Sequence, residues 1–402
     1  MPRLSSRPSL IKASPIRRIA ALLDEARRKE DIISFGGGAP SLPPPEEVIE
    51  FLVDNLKKNP QKTVAYGSTR GLMELRELIA EDLKKYWGVD YDPSEEILIV
   101  NGGTEGIYLA LATVLEPNEE VIILDPTYLG YSEAIKLFNG KIRRVPVTVE
   151  NGYQPNIEDV EKVVSPLTKA FILLSPDNPT GRIVTEKFVK ELVDLAVKYD
   201  FWIIFDAVYK HISYGRPTPW VDKFPEARSR TITINSFSKE ASIPGFRLGY
   251  VTGPKEAIEA MERIKQYVSL APDTVGQIAM IRFYQDGIKD RYLRDVVIPT
   301  YRKRRDLMYK LIKEYLPEAK TVMPEGAFYF FVDIRSYLEA MGRNDEEFAN
   351  RLLYRKSVVV IPGIFFGERG RGHIRMTFVS EPEERIEEGV RRIGAYVSSY
   401  IF

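Results

Sequence analysis

Glu186-Lys-Phe-Val-Lys-Glu-Leu-Val-Asp-Leu-Ala-Val-Lys-Tyr-Asp-Phe-Trp-Ile-Ile-Phe-Asp206 reads as a helix that delivers the chain into a strand. Phe188, Leu192, Leu195 and Ala196 recur at helical spacing over Glu186 to Lys198, whereas Phe201 to Phe205 is an unbroken apolar run that ends on a carboxylate. A strand that is apolar at every position is covered on both faces, the condition of a parallel sheet sandwiched by crossover helices. Working outward, the same alternation holds from about residue 97 to 253. Short apolar runs at Ile97-Asn101, Val121-Asp125, Ala170-Ser175, Trp202-Asp206, Thr231-Asn235 and Leu248-Thr252 alternate with helical patterns. The expected fold class is therefore α/β, a mostly parallel sheet with helices on both sides, whose ligands gather at the C-terminal ends of the strands. After Pro299, a charged helical stretch, Tyr301 to Glu314, gives way to short strands and a closing helix around Glu383-Tyr396, so a second, smaller α+β unit is expected.

Composition narrows the chemistry. A chain of 402 residues with 44% hydrophobic and 28% charged residues has the make-up of an ordinary globular protein of two or three domains. Lys+Arg and Asp+Glu balance at 57 each, and acids such as Asp24 and Glu25 sit among Arg17, Arg18, Arg27 and Arg28, which argues against nucleic acid as a partner. Cysteine is absent, excluding disulfides, thiol nucleophiles and thiolate metal sites, and His211 and His373 are the only imidazoles, so no metal centre is expected. No apolar run approaches a membrane span and the N-terminus lacks a secretory h-region; a cytoplasmic protein with a mature, basic N-terminal arm is expected. Lack of cysteine beside many paired charges also fits a thermophilic source.

Five segments can carry chemistry. Asn235-Ser-Phe-Ser-Lys-Glu-Ala-Ser-Ile-Pro-Gly-Phe-Arg-Leu-Gly249 places Lys239 among hydroxyls, with Arg247 eight residues on. A desolvated lysine near another cation can act as an amine nucleophile and base, while Ser236, Ser238 and Arg247 can bind phosphate. Taken alone, Lys239 is equally a solvated turn lysine. Asp206 ends a buried strand and needs a partner, for which a protonated pyridine nitrogen serves; Tyr209 and Asn178, in Asp177-Asn-Pro-Thr-Gly181, can reach the ring oxygen of such a ring. Read singly, Asp206 is as well a helix cap and the Asn-Pro segment a plain turn. Asn101-Gly-Gly-Thr-Glu-Gly106 follows a strand and opens an apolar helix, so Gly103 and Thr104 offer donors to a phosphate without forming a Walker A loop. Gly36-Gly37-Gly38 runs into prolines rather than a helix, which disfavours a nicotinamide-binding fingerprint. In His373-Ile-Arg-Met-Thr-Phe378, alternation puts Arg375 opposite Ile374, Met376 and Phe378, where it either forks onto a carboxylate or decorates a surface strand.

In order and spacing these segments resemble the class I/II aminotransferase family of fold type I pyridoxal 5'-phosphate (PLP) enzymes, from about Ile33 to Phe378. The resemblance implies Lys239 as the Schiff-base lysine, Asp206 as the pyridinium partner, and Asn178 and Tyr209 as ligands of the ring oxygen. It implies Gly103, Thr104, Ser236, Ser238 and Arg247 as the phosphate cup, Tyr128 as the aromatic stacked on the cofactor, and Arg375 as the grip on the substrate α-carboxylate. Tyr66, in Ala65-Tyr-Gly-Ser-Thr-Arg-Gly71, resembles the tyrosine that reaches across a homodimer interface to the neighbour's phosphate. Glu105 departs from the family's usual Gln or small residue and is expected outside the site, because an acid repels a phosphate dianion. Domain limits implied by the family are 45–294 for the large PLP-binding domain, and 1–44 with 295–402 for the small domain and arm.

The implied activity is transfer of an amino group from an L-amino acid to a 2-oxo acid, most often 2-oxoglutarate, by a ping-pong mechanism. Ala13-Ser-Pro-Ile-Arg-Arg18, Ile33-Ser-Phe-Gly-Gly-Gly-Ala-Pro40 and Ile361-Pro-Gly-Ile-Phe-Phe366 are similar to the 2-aminoadipate/kynurenine/aromatic aminotransferases. Aromatic, 2-aminoadipate, branched or glutamate donors follow, with Gly38 at the substrate and Arg17 meeting a distal carboxylate or merely lying on a surface helix. The scaffold also supports lyases and decarboxylases, and aminotransferase-like domains occur in non-catalytic sensors.

Overall fold

The helix Glu186–Tyr199 shows how the large sheet is covered. The Thr185 side chain accepts the Phe188 N–H at its start, Asp200 ends it in the left-handed region (φ 55°), and its buried face comprises Phe188, Val189, Leu192, Val193, Leu195 and Ala196. The computed structural model describes residues 3–15 and 31–401. Among these, the N-terminal strand is β1 (Ile33–Ser34). The sheet strands are β2 (Ile97–Val100), β3 (Glu120–Asp125), β4 (Lys141–Pro146), β5 (Thr168–Leu174), β6 (Trp202–Asp206), β7 (Thr231–Ser236) and β8 (Gly249–Thr252). They form one seven-stranded sheet in the order β2-β8-β7-β6-β5-β3-β4, parallel except for β8, which runs antiparallel to both neighbours. Every residue of β2, β3 and β7, and all but the first of β6, is buried, which explains the apolar runs at 97–100, 121–124 and 202–205, while β7 alternates isoleucine with buried threonine and asparagine.

The sequence reading missed β4. Its Lys-Ile-Arg-Arg-Val-Pro pattern alternates exposed residues with half-buried Ile142 and Arg144 and buried Val145, as suits a charged strand at the sheet edge, so it carries no apolar run.

The C-terminal part contains the helix Ile298–Tyr315, then β9 (Tyr329–Asp333), β10 (Val358–Val359), β11 (Ile361–Pro362) and β12 (His373–Thr377), and the closing helix from Glu383 to Ile401. β12 pairs antiparallel with β9 and β11, while β1 pairs parallel with β10, Ile33 opposite Val358. The N-terminal strand is thus built into the C-terminal third. One continuous apolar cluster runs from the sheet (Ile99, Ile123, Ile204) to this region (Phe330, Ile374, Ile386).

Candidate active site

Strand direction gathers the reactive side chains at one edge of the large sheet. β6 ends on Asp206 and turns at once, with Lys210 N–H donating to the Ala207 carbonyl and Ile212 N–H to that of Tyr209 (both 2.8 Å). β7 ends on Ser236, whose hydroxyl accepts the Ser238 N–H and caps the single helical turn Phe237–Glu240 that bears Lys239. β2 leads to Gly102 and the start of the helix Gly103–Val114. Because β8 is antiparallel, its beginning returns to this same edge and delivers Arg247 there. Glycine is required at 102: φ is +84°, and a Cβ would lie 2.6 Å from Arg247 Nη2.

These ends enclose a cavity of about 320 Å³ lined by Gly38, Gly103, Thr104, Tyr128, Asn178, Asp206, Tyr209, Ser236, Ser238, Lys239, Arg247 and Arg375. Lys239 Nζ donates to the Gly38 carbonyl at 2.6 Å and lies 5.7 Å from the Tyr209 ring centre. Burial, with the charges of Arg375 and Arg247, pulls its amine down to about 8, against the opposing pull of Asp206. Burial pushes the Asp206 carboxyl up to about 6, although Tyr131 donates its phenol to Oδ2 at 2.7 Å and the Val208 N–H approaches Oδ1 at 3.3 Å. The cavity therefore sets a weakened amine near a carboxyl that titrates close to neutrality, the displacement of acid and base expected of a proton-transfer site.

Arg375 is only 2% exposed, so the surface-strand alternative is excluded; all five residues of β12 are buried. Its Nη1 donates to Asn178 Oδ1 at 3.1 Å and its Nη2 to the Gly36 carbonyl at 2.7 Å, while its guanidinium lies 4.5 Å over the Tyr329 ring. Its buried Nε–H has no partner, leaving a donor available to a carboxylate. Tyr209 and Tyr329 join hydroxyl to hydroxyl at 2.9 Å.

One expected site residue is not brought to the cavity, and another cannot be placed. Tyr66 is 88% exposed and does not line it, and Arg17 lies outside the described residues. Glu105 also stands apart, as its charge predicted: it accepts the Asn101 N–H (2.6 Å) and the ammonium of fully buried Lys265 (2.8 Å). Sequence reasoning missed Tyr131 and Tyr329. Tyr131 lies three residues beyond Tyr128, just inside the helix Gly130–Leu137, and the two rings meet edge-on at 5.3 Å, a contact with no sequence signal of its own. Tyr329, at the head of β9 before Phe330 and Phe331, had none either; it enters because it pairs with Thr377, two positions from Arg375 on the same face of β12.

The residues present fit the PLP that the resemblance implies. Ser238 Oγ is buried without a partner beside the first-turn N–H groups of the helix at Gly103 and the Arg247 guanidinium, donors that suit a phosphate dianion. Lys239 and Asp206 line the same cavity, the amine and carboxylate that a pyridinium aldehyde needs. Comparison with known proteins agrees. The family model described as "Aminotransferase class I and II" matches residues 30–393. An aromatic-amino-acid aminotransferase 2 of Thermococcus litoralis is 36% identical over 392 residues, and an aspartate aminotransferase of Pyrococcus abyssi is 34% identical over 392, each match covering 97% of both chains. Among solved structures, a Thermus thermophilus aspartate aminotransferase with maleate superposes with a TM-score of 0.91 at 30% identity, over 98% of this chain and 100% of that one. On its fold, its cavity and these likenesses, the chain belongs to the class I and II aminotransferase family of PLP-dependent enzymes.

Proposed function

We propose that this enzyme moves the amino group of a broad set of L-amino acids to 2-oxoglutarate, with Lys239 as the residue that holds the cofactor and shuttles the proton. The observation that carries this reading is the Lys239 amine, pulled down to about 8 between Arg375 and Arg247 and sharing its cavity with Asp206. When bound, PLP supplies an electron sink for the electrons released at the substrate α-carbon. The protein does the rest. Asp206, buried and supported by Tyr131, would hold the positive charge of the ring nitrogen, and Tyr128, in the cavity wall, would hold the ring. Ser236, Ser238, Arg247, Gly103 and Thr104 bind the phosphate. Arg375, anchored on Asn178 and Gly36, fixes the substrate carboxylate with its remaining donors, and Asn178 and Tyr209 serve the ring oxygen. Lys239 then moves a proton between the substrate α-carbon and the cofactor.

Support for apolar donors comes from Ile107 and Leu129 in the cavity wall; the cations among its described residues, Lys239, Arg247 and Arg375, are all committed. A distal carboxylate therefore calls on Arg17, at the substrate with Gly38. The large domain comprises 45–294 and the small one 1–44 with 295–402. Exposed Tyr66 completes the phosphate site of a second subunit in a cytoplasmic homodimer.

The test is a half-reaction. Purified protein is loaded with PLP and mixed separately with glutamate, 2-aminoadipate, phenylalanine or leucine, following absorbance and oxo-acid release. Conversion to pyridoxamine phosphate, reversed by 2-oxoglutarate, is expected; PLP binding without conversion by any donor rejects transamination. Arg17→Ala should impair glutamate and 2-aminoadipate while sparing leucine and phenylalanine, and equal loss with both classes rejects its role.

A further inference from the structure

Behind the cavity, on the side away from the ligand space, lies a buried ionic cluster that the reaction does not use. Glu240, next to Lys239, is 2% exposed, and its Oε2 accepts from Nζ of Lys210, itself 3% exposed, at 2.7 Å. Lys210 in turn follows Tyr209. The two partners thus sit immediately beside two residues of the cavity wall, yet neither lines the cavity. His211 Nε2 stands 3.4 Å from Glu240 Oε2 and 3.4 Å from Asp82 Oδ2, Lys289 bonds Asp82, and the Tyr284 hydroxyl approaches Glu240 Oε1 at 3.4 Å. Lys210 also lies 5.4 Å from the Tyr250 ring centre. Burial and the Lys289 charge hold the His211 imidazole below its ordinary range, so two lysines face two carboxylates across a neutral ring.

Local structure makes this pair consequential. Lys239 rides on a helix of one turn, four residues long, which backbone hydrogen bonding alone cannot sustain. Its N-terminal side is fixed by the Ser236 cap and by Phe237, packed 5.5 Å from Tyr250 and 6.0 Å from Tyr284. Its last residue is fixed by the ion pair with Lys210, in the turn that follows Asp206. That bond crosses from the segment of the amine to the segment of the carboxylate.

We propose that Lys210 and Glu240 are a positioning pair that locks the Lys239 turn to the Asp206–Tyr209 segment and so fixes the catalytic amine relative to the ring-binding carboxylate. The inference rests on the reading of Lys239 and Asp206 given above. A displacement of about 1 Å at a reacting group can cost roughly 100-fold in rate, so the pair bears on kcat more than on KM.

The test uses PLP-loaded full-length enzyme and the amino-acid half-reaction. Wild type is measured first: if it fails to bind PLP or transfer the amino group, the reading of Lys239 fails, whatever the pair does. Given an active wild type, Lys210→Met and Glu240→Gln should each lower kcat about 10- to 100-fold with KM held within about twofold. The double variant should be no worse than either single, the coupling of two groups that act as one. The pH midpoint of the Lys239–cofactor absorbance provides a readout that fold damage does not mimic. It should rise in Lys210→Met, which leaves the Glu240 carboxylate behind the lysine without its ammonium, and fall in Glu240→Gln, which leaves the Lys210 ammonium without its carboxylate. Wild-type kcat in the singles, additive losses in the double, or an unmoved midpoint would each overturn the proposal. Should the singles fail to fold, the double variant, free of uncompensated charge, decides: reduced kcat with unchanged KM supports the pair, and wild-type kcat refutes it.

Discussion

Replacing Tyr131 by Phe tests the electrostatics of the site at one atom. Tyr131 is fully buried, so Phe fills nearly the same space while removing the donor 2.7 Å from Asp206 Oδ2 and leaving only the Val208 N–H at 3.3 Å. A hydrogen bond to a charged group is worth about 1.5–3 kcal/mol, and 1.36 kcal/mol moves a pKa by about one pH unit. The carboxyl already stands at about 6. In the variant it should rise by roughly one to two pH units, reducing its ionised fraction at pH 7 from about nine-tenths to between about a half and a tenth. PLP affinity, titrated by absorbance across pH 5–9, should fall as acid protonates Asp206, with the midpoint displaced upward by that amount. The apoprotein supplies a second arm. Asp206 titrates above its unfolded value of 3.8, so its contribution to stability is complete below about pH 4 and is lost as pH rises through about 6. The variant's raised carboxyl prolongs that loss, and the stability gap between variant and wild type should open between about pH 6 and 8, reaching about 1.5–3 kcal/mol. Coincident midpoints for the two proteins, or a downward shift, would refute the assignment of Tyr131 as the donor that keeps Asp206 ionised.

Other perturbations address the remaining parts. Lys239→Ala should abolish steady-state turnover, and in wild-type apoprotein the capture of an aromatic aldehyde by Lys239 should reach half its maximal rate near pH 8, well below that of an ordinary lysine; turnover at the wild-type rate in the variant removes Lys239 from the mechanism. Arg375→Lys discards the planar fork and should raise KM for amino-acid donors roughly 10- to 150-fold, with PLP affinity much less affected, as a pair of equilibrium and kinetic titrations will show. Glu105→Gln strips the fully buried Lys265 of its carboxylate and should cost about 3 kcal/mol of stability, read by chemical denaturation, while kcat/KM per bound cofactor stays within about twofold of wild type.

Some of this was legible in the sequence because the signal was local. Phe201 to Asp206 announces a doubly covered strand, and the cavity-edge residues follow such strands directly; though their roles came only with the resemblance, Asp206, Ser236 and Gly103 could be set at strand ends from their neighbours alone. Arg375 could not. Alternation in β12 suggested one polar face, whereas the strand lies between β9 and β11 and both faces are covered, so the arginine is enclosed rather than displayed. Tyr329 and Tyr131 take their significance from contacts 120 and 75 residues away. The Lys210–Glu240 pair was hidden for a related reason: each residue adjoins a recognisable motif, but the direction in which it points depends on the pitch of one helical turn and on the turn after β6. Charged β4 escaped because edge strands need no continuous apolar run.

The charges of the cavity also say when its base is strongest. Lys239, Arg247 and Arg375 are set against the carboxylate of Asp206, an excess of positive charge that invites anions. Both arginines lower the proton affinity of Lys239, after burial, and only Asp206 raises it. On the proposed roles, a phosphate at Arg247 would screen one of these unfavourable neighbours and a substrate carboxylate at Arg375 the other, so the proton affinity of the amine would rise stepwise as the site fills. The empty cavity, holding the amine at about 8, thus leaves far more of the lysine neutral and nucleophilic than an ordinary lysine would be, which suits it to capturing an aldehyde. The filled cavity favours a lysine basic enough to take the α-proton. On the proposed roles, one side chain can serve both tasks because the two arginines that lower its proton affinity are also the ones proposed to hold the two anions.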